Sequence, residues 1–92
     1  MKIKFTKQSI EDTDGIYKYI LERNDKNVAR SVVHQIKDVI DNLGLYKYLG
    51  VKVKKSIRRV VIPGLPFVIV YKIDKQNKII YILTVFHTAR KF

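Results

Sequence analysis

Between Val28 and Leu43 the apolar residues fall at Val28, Ala29, Val32, Val33, Ile36, Val39, Ile40 and Leu43, the spacing of one face of an α-helix over about four turns. From Ile57 onward that spacing is gone. Short β-branched runs replace it, broken by Pro, Gly, Asp and Asn, which is the pattern of strands joined by turns. A chain whose apolar period switches once from helical to extended packs its helices against a sheet, so the expected class is α+β.

The remaining elements follow from local signals. Lys2-Ile3-Lys4-Phe5 alternates polar with apolar residues and reads as a short half-buried strand. A first helix is expected from Ser9, with Asp12 at capping-box spacing and Ile10, Tyr17, Ile20 and Leu21 as its apolar stripe, ending near Asn24. Gly15 weakens this helix without breaking it. Asn27 is the expected N-cap of the second helix and Gly44 its stop. Two helices joined so closely lie antiparallel. Residues 45–56, rich in Lys, Leu and Tyr, read as a long basic loop, in part extended. Strands are expected at Ile57–Ile62, Phe67–Ile73 and Lys78–Phe86, with Pro63-Gly64-Leu65-Pro66 and Asp74-Lys75-Gln76-Asn77 as the reversals. Phe67-Val68-Ile69-Val70-Tyr71 is apolar at every position, so it is the central strand. The expectation is thus one domain, 1–92, with the order β-α-α-β-β-β. A helical hairpin covers one face of a mostly antiparallel four-stranded sheet. Its other face has little to cover it, and an open apolar sheet surface of that kind marks a binding site for another chain.

Charge narrows the partners. The chain carries 19 Lys and Arg against 8 Asp and Glu, a formal net of +11. Residues 1–45 hold 8 basic and 7 acidic side chains, whereas residues 46–92 hold 11 basic ones and a single acid, Asp74. Self-repulsion of this size is relieved by an acidic partner: nucleic acid, ribosome or an acidic protein. No cysteine is present, so disulfides and thiolate metal sites are excluded and a reducing, cytoplasmic setting fits. No apolar run approaches the roughly 20 residues of a membrane span, and the first residues do not form a signal peptide.

Most catalytic constellations are missing. There is no Gly-rich phosphate loop, no Gly-x-Ser-x-Gly and no His or carboxylate cluster at metal spacing, so neither a cofactor nor a metal is expected. Two readings of the basic half remain. Lys52, Lys54, Lys55, Arg58, Arg59 and Arg90 suit docking onto a target or onto nucleic acid. Alternatively, Arg58 and Arg90 could bind a scissile phosphate while His87 moves a proton, which is metal-free RNA cleavage by the 2′-hydroxyl. His34 reads as a solvated helix residue, as do Lys2, Lys4 and Lys18 on their elements. Tyr46, Tyr48 and Tyr71 are expected to pack.

The segment Ile57-Arg58-Arg59-Val60-Val61-Ile62-Pro63-Gly64-Leu65-Pro66-Phe67-Val68-Ile69-Val70-Tyr71-Lys72-Ile73-Asp74, then Ile79 to Phe86 and His87-Thr88-Ala89-Arg90, resembles the ParE branch of the RelE/ParE toxin superfamily. Asp14-Gly15-Ile16-Tyr17-Lys18-Tyr19-Ile20 is similar to the family's first helix, so the likeness spans nearly the whole chain. The resemblance implies the toxin of a type II toxin-antitoxin pair, of the kind tied to plasmid stabilisation, neutralised by a small acidic antitoxin. ParE-like members inhibit DNA gyrase and replication without chemistry of their own; RelE-like members cleave mRNA on the ribosome. Pro66 stands where the ribonucleases tend to carry a phosphate-binding Arg, and Leu65 departs from the usual aromatic. The sequence also closes at Phe92, before the longer tail that carries the last catalytic residue in several ribonucleases. These departures favour gyrase over ribosome and mRNA, with a RelE-like endoribonuclease or a non-toxic basic binding module as the alternatives.

Overall fold

A computed structural model describes residues 1–89. The elements run β1 (Lys2–Phe5), α1 (Lys7–Arg23), α2 (Lys26–Leu45), β2 (Val51–Lys54), β3 (Ile57–Val61), β4 (Phe67–Asp74) and β5 (Ile79–His87). The sheet order is β1-β5-β4-β3-β2, with β1 parallel to β5 and every other neighbour antiparallel. The α+β class, the helical hairpin and the central place of the all-apolar strand are as expected. The sheet has five strands where four were expected, because Val51–Lys54, read as loop, pairs with β3. All four of its residues are exposed, so it is held by backbone bonding at the sheet edge.

The core follows the helical stripe. Ala29, Val32, Ile36, Ile40 and Leu43 of α2 are buried and meet Phe67, Ile69, Tyr71, Ile73, Ile80, Ile82 and Val85 from the sheet. Each large side chain of this kind contributes about 1.5–3 kcal/mol when fully buried. In α1 only Ile20 is a buried apolar residue; Ile10 and Leu21, expected on the stripe, are exposed.

Both caps differ from expectation. Thr6, not Ser9, caps α1: its Oγ1 accepts the Ser9 N–H at 3.1 Å, and Ser9 returns a bond from its hydroxyl to the Thr6 carbonyl at 2.8 Å. Asp25, not Asn27, caps α2 by accepting the Val28 N–H at 3.0 Å. Gly44 lies inside α2, where a Cβ would stand 3.1 Å from the Met1 carbonyl oxygen; its role is close approach to the strand β1.

Two irregularities shape the sheet. Pro63 and Gly64 form a reversal closed by Leu65 N–H to Ile62 C=O at 3.1 Å, and Gly64 takes φ 75°, as the third residue of a type II turn requires. In β5, Tyr71 faces Ile82 but Val70 faces Thr84, so Leu83 is an extra residue. That bulge is bound to α1. Asp12 accepts from the Thr84 hydroxyl and from the Val85 N–H, and the Thr6 hydroxyl lies 2.8 Å from the Ile82 carbonyl oxygen and 3.0 Å from that of Leu83.

Candidate target-binding surface

Strand register divides the basic residues between two places. Arg59 pairs with Val70 and Val51, on the sheet face turned away from the core. One row on that face crosses all five strands as Lys4, Tyr81, Lys72, Ile57 and Lys54. Basic and apolar side chains therefore alternate across this face. Val61 and Val51 on it are 49% and 72% exposed. Val68, opposite Val61 on the central strand, is only 3% exposed, so the open apolar surface expected from the sequence is confined to residues such as Val51 and Val61, and it is basic as well.

Arg58 has the opposite orientation. It pairs with the buried Tyr71 across β3 and β4, is half-buried, and donates from Nη1 to the Gly50 carbonyl at 2.7 Å. The loop before β2 is fastened there by a second group. The Tyr71 hydroxyl accepts the Gly50 N–H at 2.8 Å and donates to the Lys47 carbonyl at 2.8 Å, so its one polar atom is satisfied inside the core.

This fastening raises Tyr48 as the wall of a cavity of about 640 Å³ that includes Lys52, Lys55, Arg58, Lys72 and Lys75. Tyr48 is exposed, against the expectation that it packs, and so is Tyr46; of the three tyrosines only Tyr71 is buried. Cations crowd the Tyr48 ring: Lys47 Nζ lies 4.9 Å, Arg58 Cζ 4.8 Å and Lys75 Nζ 5.5 Å from its centroid. The Lys75 ammonium at its hydroxyl holds the Tyr48 proton affinity below the ordinary tyrosine value, with smaller contributions from Lys47 and Arg58. Among the described residues Asp74 is the sole carboxylate lining the cavity. Its oxygens accept the Asn77 N–H at 3.1 Å and the Asn77 amide at 2.9 Å, which lowers its pKa and keeps it in its own turn.

Of the residues of the ribonuclease alternative, His87 and Arg58 are not gathered. His87 ends β5 opposite Phe67, whereas Arg58 lies opposite Tyr71, four residues further along β4, a distance of about 13 Å along the strand. The His87 ring meets Phe67 edge-on at 5.6 Å, and its Nδ1 accepts the Ala89 N–H at 3.0 Å. It borders a second groove, with Glu11 and Tyr19 on the α1 side. Arg90 lies outside the described residues. His34 is exposed and sits 3.5 Å from Asp38, one turn on in α2.

Lys52, Lys55 and Arg58 thus share the cavity, while Lys54 and Arg59 belong to the open sheet face. Tyr48, Lys72 and Lys75 were absent from the sequence-derived set; only the folded register joins them to it. A further apolar groove between β1, α1 and α2, lined by Phe5, Ile10, Tyr17 and Val33, was also missed. Phe5 and Ile10 are 50% and 58% exposed there. Among the described residues no group of three or more His, Cys, Asp or Glu side chains is arranged to hold a metal ion. No described helix is long and apolar enough to cross a membrane.

Comparison with known proteins agrees with this architecture. The family described as "ParE toxin of type II toxin-antitoxin system, parDE" matches residues 3–92. A solved chain of the chromosomal ParDE toxin-antitoxin system from P. aeruginosa superposes with a TM-score of 0.81 at 21% identity, covering 95% of each chain. The isolated RelE toxin of E. coli gives a TM-score of 0.72 at 9% identity, over 98% of this chain and 86% of that one. At these identities the likeness to the solved structures is one of fold. No curated protein matches the sequence.

Proposed function

The chain belongs to the ParE toxin family of type II toxin-antitoxin systems, and from that premise we propose that it acts by binding DNA gyrase and arresting replication, and that an acidic antitoxin holds it inactive. Binding, not bond cleavage, is the mode. The observation that carries this reading is the separation of His87 from the Arg58 cluster along β4. A ribonuclease needs its proton-transfer group and its phosphate-binding cations around one scissile bond, within hydrogen-bond reach of the reacting atoms. Here His87 faces the first residue of β4 and Arg58 the fifth, about 13 Å apart along the strand, and Arg58 already donates to Gly50.

A binding role also accounts for the mixed basic and apolar face of the sheet. Alternating Lys4, Tyr81, Lys72, Ile57 and Lys54 offers both the apolar area and the charge that a macromolecular partner uses. The exposed Phe5 and Ile10 beside α2 give a partner peptide a second apolar place to dock. An acidic antitoxin laid over these faces would offset the net charge of +11.

The test is a gyrase supercoiling and DNA-cleavage assay run beside mRNA cleavage on programmed ribosomes. Gyrase arrest with intact message is the expected result. Cleaved message with unaffected gyrase would overturn it in favour of a RelE-like endoribonuclease, and inactivity in both assays would leave a basic binding module.

A further inference from the structure

We propose that the cavity walled by Tyr48 is a phosphate-binding basin for a nucleic-acid strand, with Lys52, Lys55, Arg58, Lys72 and Lys75 as its donors and Tyr48 as the residue that positions Arg58 and Lys75. The proposal deepens the target-binding reading and rests on it for its biological setting. It differs from that reading in naming the ligand chemistry and in centring the nucleic acid on the basin, which shares Lys72 with the open sheet face.

Five cations line one cavity that holds one carboxylate, and both oxygens of Asp74 are engaged by Asn77. Among the described residues the ion pairs are Lys18 with Asp14, Arg23 with Glu22 and His34 with Asp38, and of the five only Lys72 acts on a carboxylate, helping to lower the pKa of Asp74. Like charges gathered this closely repel unless an anion enters.

The gathering is built into the fold. The five donors come from β2, the β2–β3 turn, β3, β4 and the β4–β5 turn, five successive pieces of chain brought together by strand pairing. Ile73 N–H bonds to the Ser56 carbonyl at 2.8 Å, tying the β2–β3 turn to β4. Arg58 is aimed by Gly50, and Gly50 is held by Tyr71. The Tyr48 ring, with cations at 4.8 to 5.5 Å, draws Arg58 and Lys75 to one point through the negative face of its π-system.

The donor set favours a phosphate over a carboxylate. Five cationic side chains lining one cavity offer enough donors for the several oxygens of a phosphate, and a guanidinium anchored by one N–H retains others for a paired contact. A carboxylate presents two oxygens in one plane. An acidic peptide would also need apolar pockets for its anchor side chains, yet among the described residues lining this cavity Ile73 is the only apolar one apart from Tyr48.

The experiment measures binding of labelled oligonucleotides to the full chain by fluorescence anisotropy across a salt series. One sequence is used as single-stranded DNA, as RNA and as duplex, and the arm that binds identifies the source of the phosphate. The triple variant Lys52→Gln/Lys55→Gln/Lys75→Gln should weaken binding about tenfold or more at low salt. It should also lower the slope of log K against log salt by about 0.7 for each phosphate no longer neutralised on a single strand, or about 0.9 on a duplex. The equally discharged helix variant Lys7→Gln/Lys26→Gln/Lys37→Gln should leave the slope near that of the parent. Tyr48→Ala should weaken binding and Tyr48→Phe restore most of it, because the ring is retained. Equal losses in the two triple variants would overturn the proposal, as would a Glu-rich peptide of matched charge binding the basin more tightly than any oligonucleotide. Gyrase arrest without oligonucleotide binding would remove the basin alone; oligonucleotide binding without gyrase arrest would remove the gyrase reading alone.

Discussion

The Tyr71 hydroxyl accepts the Gly50 N–H at 2.8 Å, and no side chain fits where the two meet: a Cβ on Gly50 would stand 2.9 Å from Tyr71 Cε1 and 2.5 Å from the Arg59 carbonyl oxygen. The loop between α2 and β2 is thereby fixed to the central strand, and with it the position of Arg58. Tyr71→Phe removes the hydroxyl and strands the Gly50 N–H and the Lys47 carbonyl. The expected loss is about 1–3 kcal/mol, the usual cost of leaving buried polar groups unpaired. Urea unfolding should show a lower midpoint at unchanged slope, and an unaltered midpoint would sink the assignment.

The same residue sets an alkaline limit. Burial raises the Tyr71 pKa above the ordinary value of 10.0, against the opposing effects of the Gly50 hydrogen bond and the Arg58 charge. The unfolded chain releases this proton near pH 10 while the folded chain keeps it, so above that pH the unfolded state binds fewer protons and stability falls as pH rises. The contribution is complete below about pH 10 and is lost as pH climbs through the folded-state pKa. The stability advantage of the parent over Tyr71→Phe should therefore shrink above about pH 10. An advantage that stays constant from about pH 8 to about pH 11 would contradict it.

Asp12 reaches from α1 to the β5 bulge, where its Oδ2 accepts from both Thr84 and Val85. Asp12→Ala leaves that backbone N–H without its acceptor and should cost about 1–3 kcal/mol, with faster amide exchange at Val85. Asp12→Asn keeps an acceptor oxygen and should recover part of the loss. If neither substitution alters exchange at Val85, the bulge does not depend on the helix.

His87 offers the sharpest separation of binding from cleavage. Its Nδ1 is engaged by Ala89 and its ring by Phe67, so His87→Ala should leave growth arrest within about twofold of the parent. Loss of a general acid or base would cost roughly 10²- to 10⁴-fold in rate. A drop of that order in toxicity would restore His87 to a catalytic role.

What the sequence displayed, and what it hid, follows from where each residue finds its partner. The α2 face was legible because Ala29, Val32, Ile36, Ile40 and Leu43 repeat at helical spacing and are all buried. The start of α1 was not, because Thr6 is a cap whose hydroxyl also meets Ile82 and Leu83, far along the chain. Ser9 had the right composition for a cap and belongs to the first turn instead. Strand β2 escaped because all of its residues are exposed and Lys-rich, so nothing in its side chains reports the pairing. The basin was half visible: Lys52, Lys55 and Arg58 are near neighbours in the chain, whereas Tyr48 and Lys75 meet only through the register of β3 with β4.

The parallel pairing of β1 with β5 also fixes an order of events in time. Thr6 and Ile82, joined by a hydrogen bond, are 76 residues apart, so closing the sheet at β1 carries the loop-closure cost of nearly the whole chain. The α1–α2 hairpin needs only neighbouring residues and forms early, with Val32 and Ile36 still lacking the strands that will cover them. Contacts so distant in the chain slow the search for the native state relative to a helical bundle of the same length. Until that search ends, the half-made molecule exposes its future core to whatever apolar surface is near, and its first requirement of the cell is protection from aggregation.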